Sequence, residues 1–262
     1  MHMLDMHLHI LPGVDDGSYS EELSLEMAEI ALNSGIDCVI ATPHANQMGR
    51  FENFYTPEFA ARFDRLREIL AENNLPLTVL PGMEIMASND MAEKIKDGRL
   101  IGLNGTDRYL IEFPFHADLA WINDRINDVT ALGKTPVIAH AERFDCVKTD
   151  PDVAGDWIGM GAIIQVNRGS LFGRFGRGSF SAADYLLGED LVDLIASDAH
   201  GVEWRAPYLL DAFDEIAARF GIERARRLLE INPTAIAEGT DIIREKTVRK
   251  SRTGFEIGRA HV

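Results

Sequence analysis

Cysteine is scarce in this chain: Cys38 and Cys146 are the only two in 262 residues, in separate segments. Without paired spacing they offer neither a disulfide framework nor a zinc knuckle. Six positions after each stand His44 and Asp152, so no Cys-x5-Arg phosphate loop is present. Cys38 lies in the apolar run 37–41 and reads as a buried structural thiol. Long hydrophobic runs are also missing: no stretch of eighteen apolar residues occurs, which gives no transmembrane helix. His7, His9, Asp15 and Asp16 interrupt the N-terminal apolar segment, so it does not read as a signal peptide, and the expected compartment is the cytoplasm. Positive charge is short as well. With 26 basic against 42 acidic residues the net charge is −16, which argues against a nucleic-acid partner, since such binding needs a basic surface to displace counterions. An anionic substrate stays open, because divalent ions among acidic ligands reverse the local field. Finally, no G-x-G-x-x-G or Walker A sequence follows the first apolar run, which disfavours an open doubly wound nucleotide-binding sheet.

What is present is an alternation of short apolar runs with amphipathic stretches, the pattern of βα units. Strands are expected over 3–9, 38–42, 77–80, 109–113, 136–139, 162–166 and 194–197. Helices are expected over 20–33, 57–73, 90–96, 119–132, 151–160 and 182–187, then over 206–220, 222–230 and 233–238. Ser20 suits an N-cap, and Gly35, Gly133 and Gly221 suit helix ends. With no internal repeat or low-complexity linker, one α/β barrel domain over 1–249 is the expected organisation. Residues 250–262 form a tail whose last seven, 256–262, read as translated adapter sequence rather than evolved protein, so His261 is set aside from metal reasoning.

Histidines and carboxylates recur where strands run out into loops: Asp5-Met6-His7-Leu8-His9, Asp15-Asp16-Gly17, Thr42-Pro43-His44, Gly82-Met83-Glu84, Ile111-Glu112-Phe113, His140-Ala141-Glu142-Arg143 and Ser197-Asp198-Ala199-His200. In a parallel barrel these strand ends meet on one face. His7 and His9 are two apart on a strand and so point the same way, and Asp198 and His200 repeat that spacing. A lone histidine is ordinarily a satisfied polar residue, and Asp-Gly alone is ordinary turn chemistry. The repetition favours a polynuclear site for a borderline or hard divalent ion. Glu112 stands where a strand expects an apolar residue, so it must be paired, protonated or bound to metal.

The ordered set D-x-H-x-H with P-G-x-D-D-G, then T-P-H, G-x-E, the strand glutamate, H-x-E-R, Q-V-N-x-G-S-L and S-D-x-H resembles the PHP family, named for polymerase and histidinol phosphatase domains. The likeness is greatest to its capsule-locus protein-tyrosine phosphatases and spans 3–237. The resemblance implies a distorted (β/α)7 TIM-like barrel with additional C-terminal helices. It implies three divalent ions, manganese being a frequent activator and zinc, iron or cobalt being compatible. Glu84 would bridge ions, with His7, His9 and Asp198 at one centre, Glu112 and His140 at a second, and Asp16, His44 and His200 at the third. Ala141 replaces the usual proline of H-P-E-R, which could loosen the turn that holds Arg143.

These expectations lead to metal-assisted phosphomonoester hydrolysis, with Arg143 and Arg205 clamping phosphate oxygens and His200 a candidate proton source. The plainer alternatives are that Arg143 pairs with Glu142 and Arg205 starts a helix. Arg168, Arg174 and Arg177 lie in the glycine-rich segment 168–178, expected as a rim over the site or a solvated connector. Trp121, Phe115 and Phe172 are candidates for an aromatic wall. The resemblance points to a phosphotyrosyl protein as substrate, the tail of a bacterial tyrosine kinase in exopolysaccharide and capsule control. Histidinol-phosphate phosphatase and a catalytically silent kinase-binding domain are the alternatives. Oligomeric state is not legible in the sequence.

Overall fold

The computed structural model of the chain describes residues 2–245. The expected tail over 250–262 and the last residues of the 1–249 unit lie outside the described residues.

The described residues form nine parallel strands, with helices in all connections but β2–β3 and β4–β5: β1 (Met3–Leu8), β2 (Ile36–Ala41), β3 (His44–Ala45), β4 (Thr78–Pro81), β5 (Glu84–Met86), β6 (Arg108–Glu112), β7 (Thr135–Ile138), β8 (Ile163–Asn167) and β9 (Leu194–Ala196). They pair in the orders β1-β2-β4 and β3-β5-β6-β7-β8-β9. The two sets are one curled sheet with a step in it. Thr42-Pro43 separates β2 from β3 and Gly82-Met83 separates β4 from β5, and the ladder resumes beyond the step, where the Glu84 amide donates to the Pro43 carbonyl at 3.1 Å. Proline has no N–H to give a ladder. Gly82 is needed at the step, since a Cβ there would lie 2.7 Å from Ile40 Cγ2. The seven expected strand regions all form; the two short strands beyond the step are additional. The first and last strands meet at a bridge between Leu8 and Ala199. There the Asp198 amide donates to the His7 carbonyl and the His9 amide to the Ala199 carbonyl, both at 2.8 Å. The arrangement is the distorted seven-position barrel expected from sequence.

Helices α1 (Glu21–Asn33), α2 (Pro57–Glu72), α3 (Met91–Lys96), α4 (Leu119–Ala131), α5 (Asp145–Thr149), α6 (Val153–Gly159), α7 (Arg168–Leu171) and α8 (Gly176–Gly188) connect the strands. Their starts are encoded locally. Ser20 accepts from the Leu23 amide, Thr56 accepts from the Phe59 amide ahead of Pro57, and Asp118 accepts from the Ala120 amide. The sheet buries Met6, Ile40, Leu110, Val137 and Leu194 inside the barrel cluster, while Phe63, Phe113, Phe144 and Trp157 fill the layer between sheet and helices.

After β9 the chain is helical: α9 (Leu210–Phe220), α10 (Ile222–Arg226), a π-helical turn over Arg227–Ile231 and α11 (Asn232–Glu238). Three expectations need correction. The helix expected from 206 starts at Leu210, because 200–209 wraps back over the barrel mouth. The helix expected over 222–230 changes to π geometry from Arg227. The segment 168–178 is not a loose rim or solvated connector: it contains α7 and the start of α8, with Arg168 buried and paired to Asp211.

Candidate metal centre

The C-terminal ends of the strands deliver His7, His9, Asp16, His44, Glu84, Glu112, His140, Asp198 and His200 to one place. Glu84 is its hub. Its Oε1 lies 3.2 Å from His7 Nε2 and 2.9 Å from His140 Nε2. Its Oε2 lies 3.2 Å from His9 Nε2 and 2.9 Å from His44 Nδ1. On one side Asp198 Oδ1 sits 3.4 Å from His7 Nε2 and 3.6 Å from His9 Nε2. On another, Glu112 Oε1 lies 3.1 Å from His44 Nδ1 and Glu112 Oε2 lies 3.9 Å from His140 Nε2. Asp16 Oδ1 is 3.4 Å from His44 Nε2 and 3.6 Å from His200 Nε2.

Three groups bring their ligand atoms within 4.8 Å of one another: His7, His9, Glu84 and Asp198; His44, Glu84 and Glu112; and His9, Asp16, His44 and His200. Relative to the grouping implied by resemblance, His9 and His44 each stand between two centres, and His140 approaches Glu84 more closely than Glu112.

Buried atoms test whether a cation fits. His7 Nε2, His9 Nε2, Glu84 Oε2 and Asp198 Oδ1 are all shielded from solvent and none has a well-aligned hydrogen bond. Arg205 supplies charge to Asp198 Oδ1 and His44 to Glu84 Oε2, but the gathering of such buried nitrogens and oxygens without aligned hydrogen bonds is the donor set a divalent ion requires.

Charges in the cluster shift in matching directions. Burial alone would raise Glu84 and Asp198, but the His7 and His44 charges beside Glu84, and the His7 and Arg205 charges beside Asp198, hold both well below the usual carboxylate range. Burial would lower His9, yet the Asp15 carboxylate reverses this and lifts it to about 10. His44 is likewise lifted, against burial, chiefly by Glu84. His200 goes the other way, to about 3, through burial and the neighbouring His9 charge. Cys38, outside the cluster, is pushed up to about 11 by burial and then Asp37, the opposite of an activated nucleophile.

A set of orienting residues fixes these rings. His7 Nδ1 donates to Gln165 Oε1 at 3.1 Å, and the same oxygen accepts the His140 amide at 2.8 Å. His9 Nδ1 donates to Asp15 Oδ2 at 2.7 Å, which also accepts the His44 amide at 2.9 Å. Asn167 donates to Asp198 Oδ2 at 2.6 Å, and Gln47 donates to Glu112 Oε1 at 2.6 Å. A second partner of this kind sets which ring nitrogen faces a metal. Of these, Asp15 stands in the D-D-G motif and Gln165 and Asn167 in Q-V-N-x-G-S-L, while Gln47 lies in no motif read from sequence; no orienting role for any of them is read from sequence. Gln165 and Asn167 leave one signal, two amides two apart on an otherwise apolar strand. The backbone is bent to the task. His140 has φ 35° and Asp198 φ 53°, left-handed values that cost non-glycine residues energy and gather at functional sites. Gly17 is required because a Cβ there would lie 2.2 Å from the His9 carbonyl oxygen.

The cluster floors a cleft of 310 Å³ whose walls include Arg50, Arg143, Arg205, Met86 and Phe115. Arg205 ion-pairs with Asp198 Oδ1 and donates from Nε to the Asp198 carbonyl at 2.9 Å. Arg143 NH1 lies 3.5 Å from Asp198 Oδ2. The plainer alternatives therefore fail: Glu142 accepts from Ser170 and the Asn167 amide instead of pairing with Arg143, and Arg205 precedes the nearest helix by five residues. Of the expected aromatic wall only Phe115 lines the cleft. Trp121 packs edge-on against Phe113 and donates to Asn89, and Phe172 lies against Arg168. A larger, shallow groove of 740 Å³ lies between the N-terminal end of β1 and the C-terminal helices, lined by His2, Glu230 and Asp241 among others. It coincides with no metal-ligand group among the described residues, so its size is no guide to the chemistry.

Fold and cluster together define a class, a PHP-type barrel with a cluster of histidines and carboxylates at its mouth whose donors fit metal. The match to the family model of capsular polysaccharide synthesis proteins CpsB/CapC runs over residues 3–238, and the chain belongs to that family. The chain is 34% identical over 241 residues to the tyrosine-protein phosphatase CpsB of Streptococcus pneumoniae, covering 89% of this chain and 98% of that one. It is 36% identical over 228 residues to the tyrosine-protein phosphatase YwqE of Bacillus subtilis, covering 87% and 89%. A crystal structure from work on YwqE and CpsB, described as unique metal-dependent tyrosine phosphatases, superposes with TM-score 0.86 at 34% identity over 93% of this chain and 97% of that one. The Escherichia coli phosphotriesterase homology protein, TM-score 0.55 at 14% identity over 89% and 97%, shares the fold. Among the described residues no helix is long and apolar enough to cross a membrane.

Proposed function

We propose that this chain is a metal-dependent protein-tyrosine phosphatase that acts on a phosphotyrosyl protein, the tail of a bacterial tyrosine kinase, in the cytoplasm, within capsule and exopolysaccharide control. The relatives named above support the activity. The observation that carries the reading is the meeting of Arg143 and Arg205 on Asp198, at the wall of a cleft whose floor is the His/carboxylate cluster.

The nine residues His7, His9, Asp16, His44, Glu84, Glu112, His140, Asp198 and His200 would hold the ions, Glu84 belonging to two of the ligand groups. Three ions are proposed, manganese first, with zinc, iron or cobalt compatible with the same donors. When bound, they supply Lewis acidity to phosphate oxygens and a water that is nucleophilic near neutral pH. The chain's own part is to bind and orient. Arg143 and Arg205 offer forked N–H donors to the phosphate oxygens through charge-assisted hydrogen bonds. Gln165, Asp15 and Asn167 keep His7, His9 and Asp198 in their tautomers and rotamers. Phe115 gives the tyrosyl ring an apolar face. The phenolate leaves with a solution pKa near 10, about five units below an alkyl alcohol, so little is demanded of a proton donor. His200, expected from sequence as a candidate proton source, is lowered to about 3 and so carries no proton to give at neutral pH.

The test is hydrolysis of a phosphotyrosyl peptide and of histidinol phosphate by chelator-stripped protein, before and after manganese is added. Restored hydrolysis favouring the peptide is expected. A preference for histidinol phosphate would place the protein among small-molecule phosphatases, and metal-loaded protein idle on both would reject the phosphatase reading.

A further inference from the structure

The segment 168–178 is not used by the chemistry above, yet it is packed against both arginines that the proposed function assigns to phosphate. Its central side chain is Phe175, half-buried at the start of α8. The Arg143 guanidinium carbon lies 4.2 Å from the centre of the Phe175 ring and 4.5 Å from that of Phe115. The Arg205 guanidinium carbon lies 5.9 Å from the same Phe175 ring. One aromatic ring thus touches both cations, which come from different loops, one after β7 and one after β9.

The ring is itself held in place. Gly169 passes so close that a Cβ there would lie 2.7 Å from Phe175 Cε2, so the ring rests on bare backbone. Gly173 and Gly176, at φ 71° and 88°, give the turn a path that ordinary residues take only under strain. Two further ties fix the segment to the loop that carries Arg205. Arg174 donates to the carbonyl of Trp204, the residue before Arg205, and Arg168 pairs with Asp211 at the start of α9. The glycines that make 168–178 read as a loose connector are those that let it close down on the site.

We infer that Phe175 is a positioning residue for phosphate binding: it holds the guanidinium of Arg143 toward the cleft through its face, leaving its N–H edge for oxygen, whereas Arg205, more distant from the same ring, is already held through Nε and NH2 by Asp198. A guanidinium stacks on an aromatic face with its donors still pointing outward in plane, which a salt bridge does not allow. Arg143 needs such support. Glu142 beside it is engaged by Ser170 and Asn167, and the Asp198 carboxylate at 3.5 Å is a weak restraint on NH1. Without the ring, the guanidinium would have to be ordered at each binding event, at a cost in affinity.

This inference rests on the phosphatase reading, and its experiment separates the two. Parent, Phe175→Leu, Phe175→Tyr, Arg143→Ala and the double variant Arg143→Ala/Phe175→Leu would be loaded with manganese. For each, bound metal, Tm, KM and kcat for a phosphotyrosyl peptide, and Ki for inorganic phosphate would be measured. Leucine keeps apolar bulk but has no π face. The expected result is a rise of about tenfold in KM and phosphate Ki for Phe175→Leu, on the scale of a part-desolvated cation–π contact, with parental metal content and Tm. Phe175→Tyr should return to within about threefold of the parent, since the ring face is kept. In the Arg143→Ala background the leucine change should add little, because residues acting as a unit are not additive. Parental Ki in an active Phe175→Leu variant would overturn the positioning role and leave the phosphatase reading intact, as would a loss that tracks loss of bound metal. A parent that neither hydrolyses the peptide nor binds phosphate would overturn the phosphatase reading and this inference with it.

Discussion

At the residue scale, Arg143 and Arg205 carry the substrate argument, and they differ in how they are held. Arg205 is tied twice to Asp198, by an ion pair and by Nε to the carbonyl, so it also braces a ligand. Arg143 approaches Asp198 from farther off and lies over two aromatic rings, Phe115 and Phe175. Arg143→Ala should therefore leave metal content near parental while lowering kcat/KM by roughly 2 to 4 kcal/mol in transition-state terms, as loss of a charge-assisted donor to a developing anion does. Arg205→Ala should lose both activity and part of the metal. Metal analysis beside steady-state kinetics distinguishes them, and an Arg143→Ala variant with parental kcat/KM would remove that arginine from the site. The nine clustered residues were legible in the sequence because each is a charged or imidazole group at the end of an apolar run. The orienting residues Asp15, Gln165 and Asn167 were legible as members of motifs but not in their roles, since Gln165 meets His7 across 158 positions, and Phe175 matters only because two loops distant in sequence converge on it.

At the element scale, the seven main strands and most helices follow from periodicity and capping, and the departures have identifiable causes. The strands β3 and β5 are two and three residues long, too short for alternation to show, and they exist because Pro43 and Gly82 step the sheet rather than end it. Glycines at 169, 173, 176 and 178 hide α7 and the first turn of α8, whose order comes from tertiary contacts. The C-terminal helices show the same dependence. Asn232, fully buried where the π turn passes into α11, donates to the Asp193 carbonyl at 2.8 Å and the Ile243 carbonyl at 3.0 Å, and accepts the Ile243 amide at 2.8 Å. Asp193 in turn accepts two bonds from Arg244 and one from the Ile164 amide on β8. Asn232→Ala would leave backbone groups unpaired and should cost about 2 to 3 kcal/mol. A lower urea midpoint at unchanged m-value would register it, with manganese-dependent activity retained at 25 °C. A parental midpoint would show that this tie contributes nothing to stability.

At the scale of the whole molecule, a chain of net charge −16 folds so that several of its carboxylates face one another at the barrel mouth, and histidines supply the compensation. The lifted His9, at about 10, and the lifted His44 hold protons at neutral pH in the metal-free protein. A metal needs the same nitrogen lone pairs, so loading must expel those protons. The sign follows: the metal-free state binds more protons than the loaded state, so rising pH favours the loaded state and acid favours release. Manganese affinity should accordingly increase between pH 6 and pH 8, with proton release visible as a dependence of calorimetric heat on the ionisation enthalpy of the buffer. Because the ions bind the folded chain, loading should also stabilise it, by about 2.7 kcal/mol at a hundred times Kd for one site. For a chain of this size that corresponds to a Tm rise of about 5 to 10 °C, reversed by chelator. Glu84→Gln removes the charge shared by two of the three ligand groups while keeping the side chain's size, and should sharply reduce both the Tm rise and the proton release. If Glu84→Gln still gained stability and released protons as the parent does, the ions would be held elsewhere, and the hub of the site would have been misplaced.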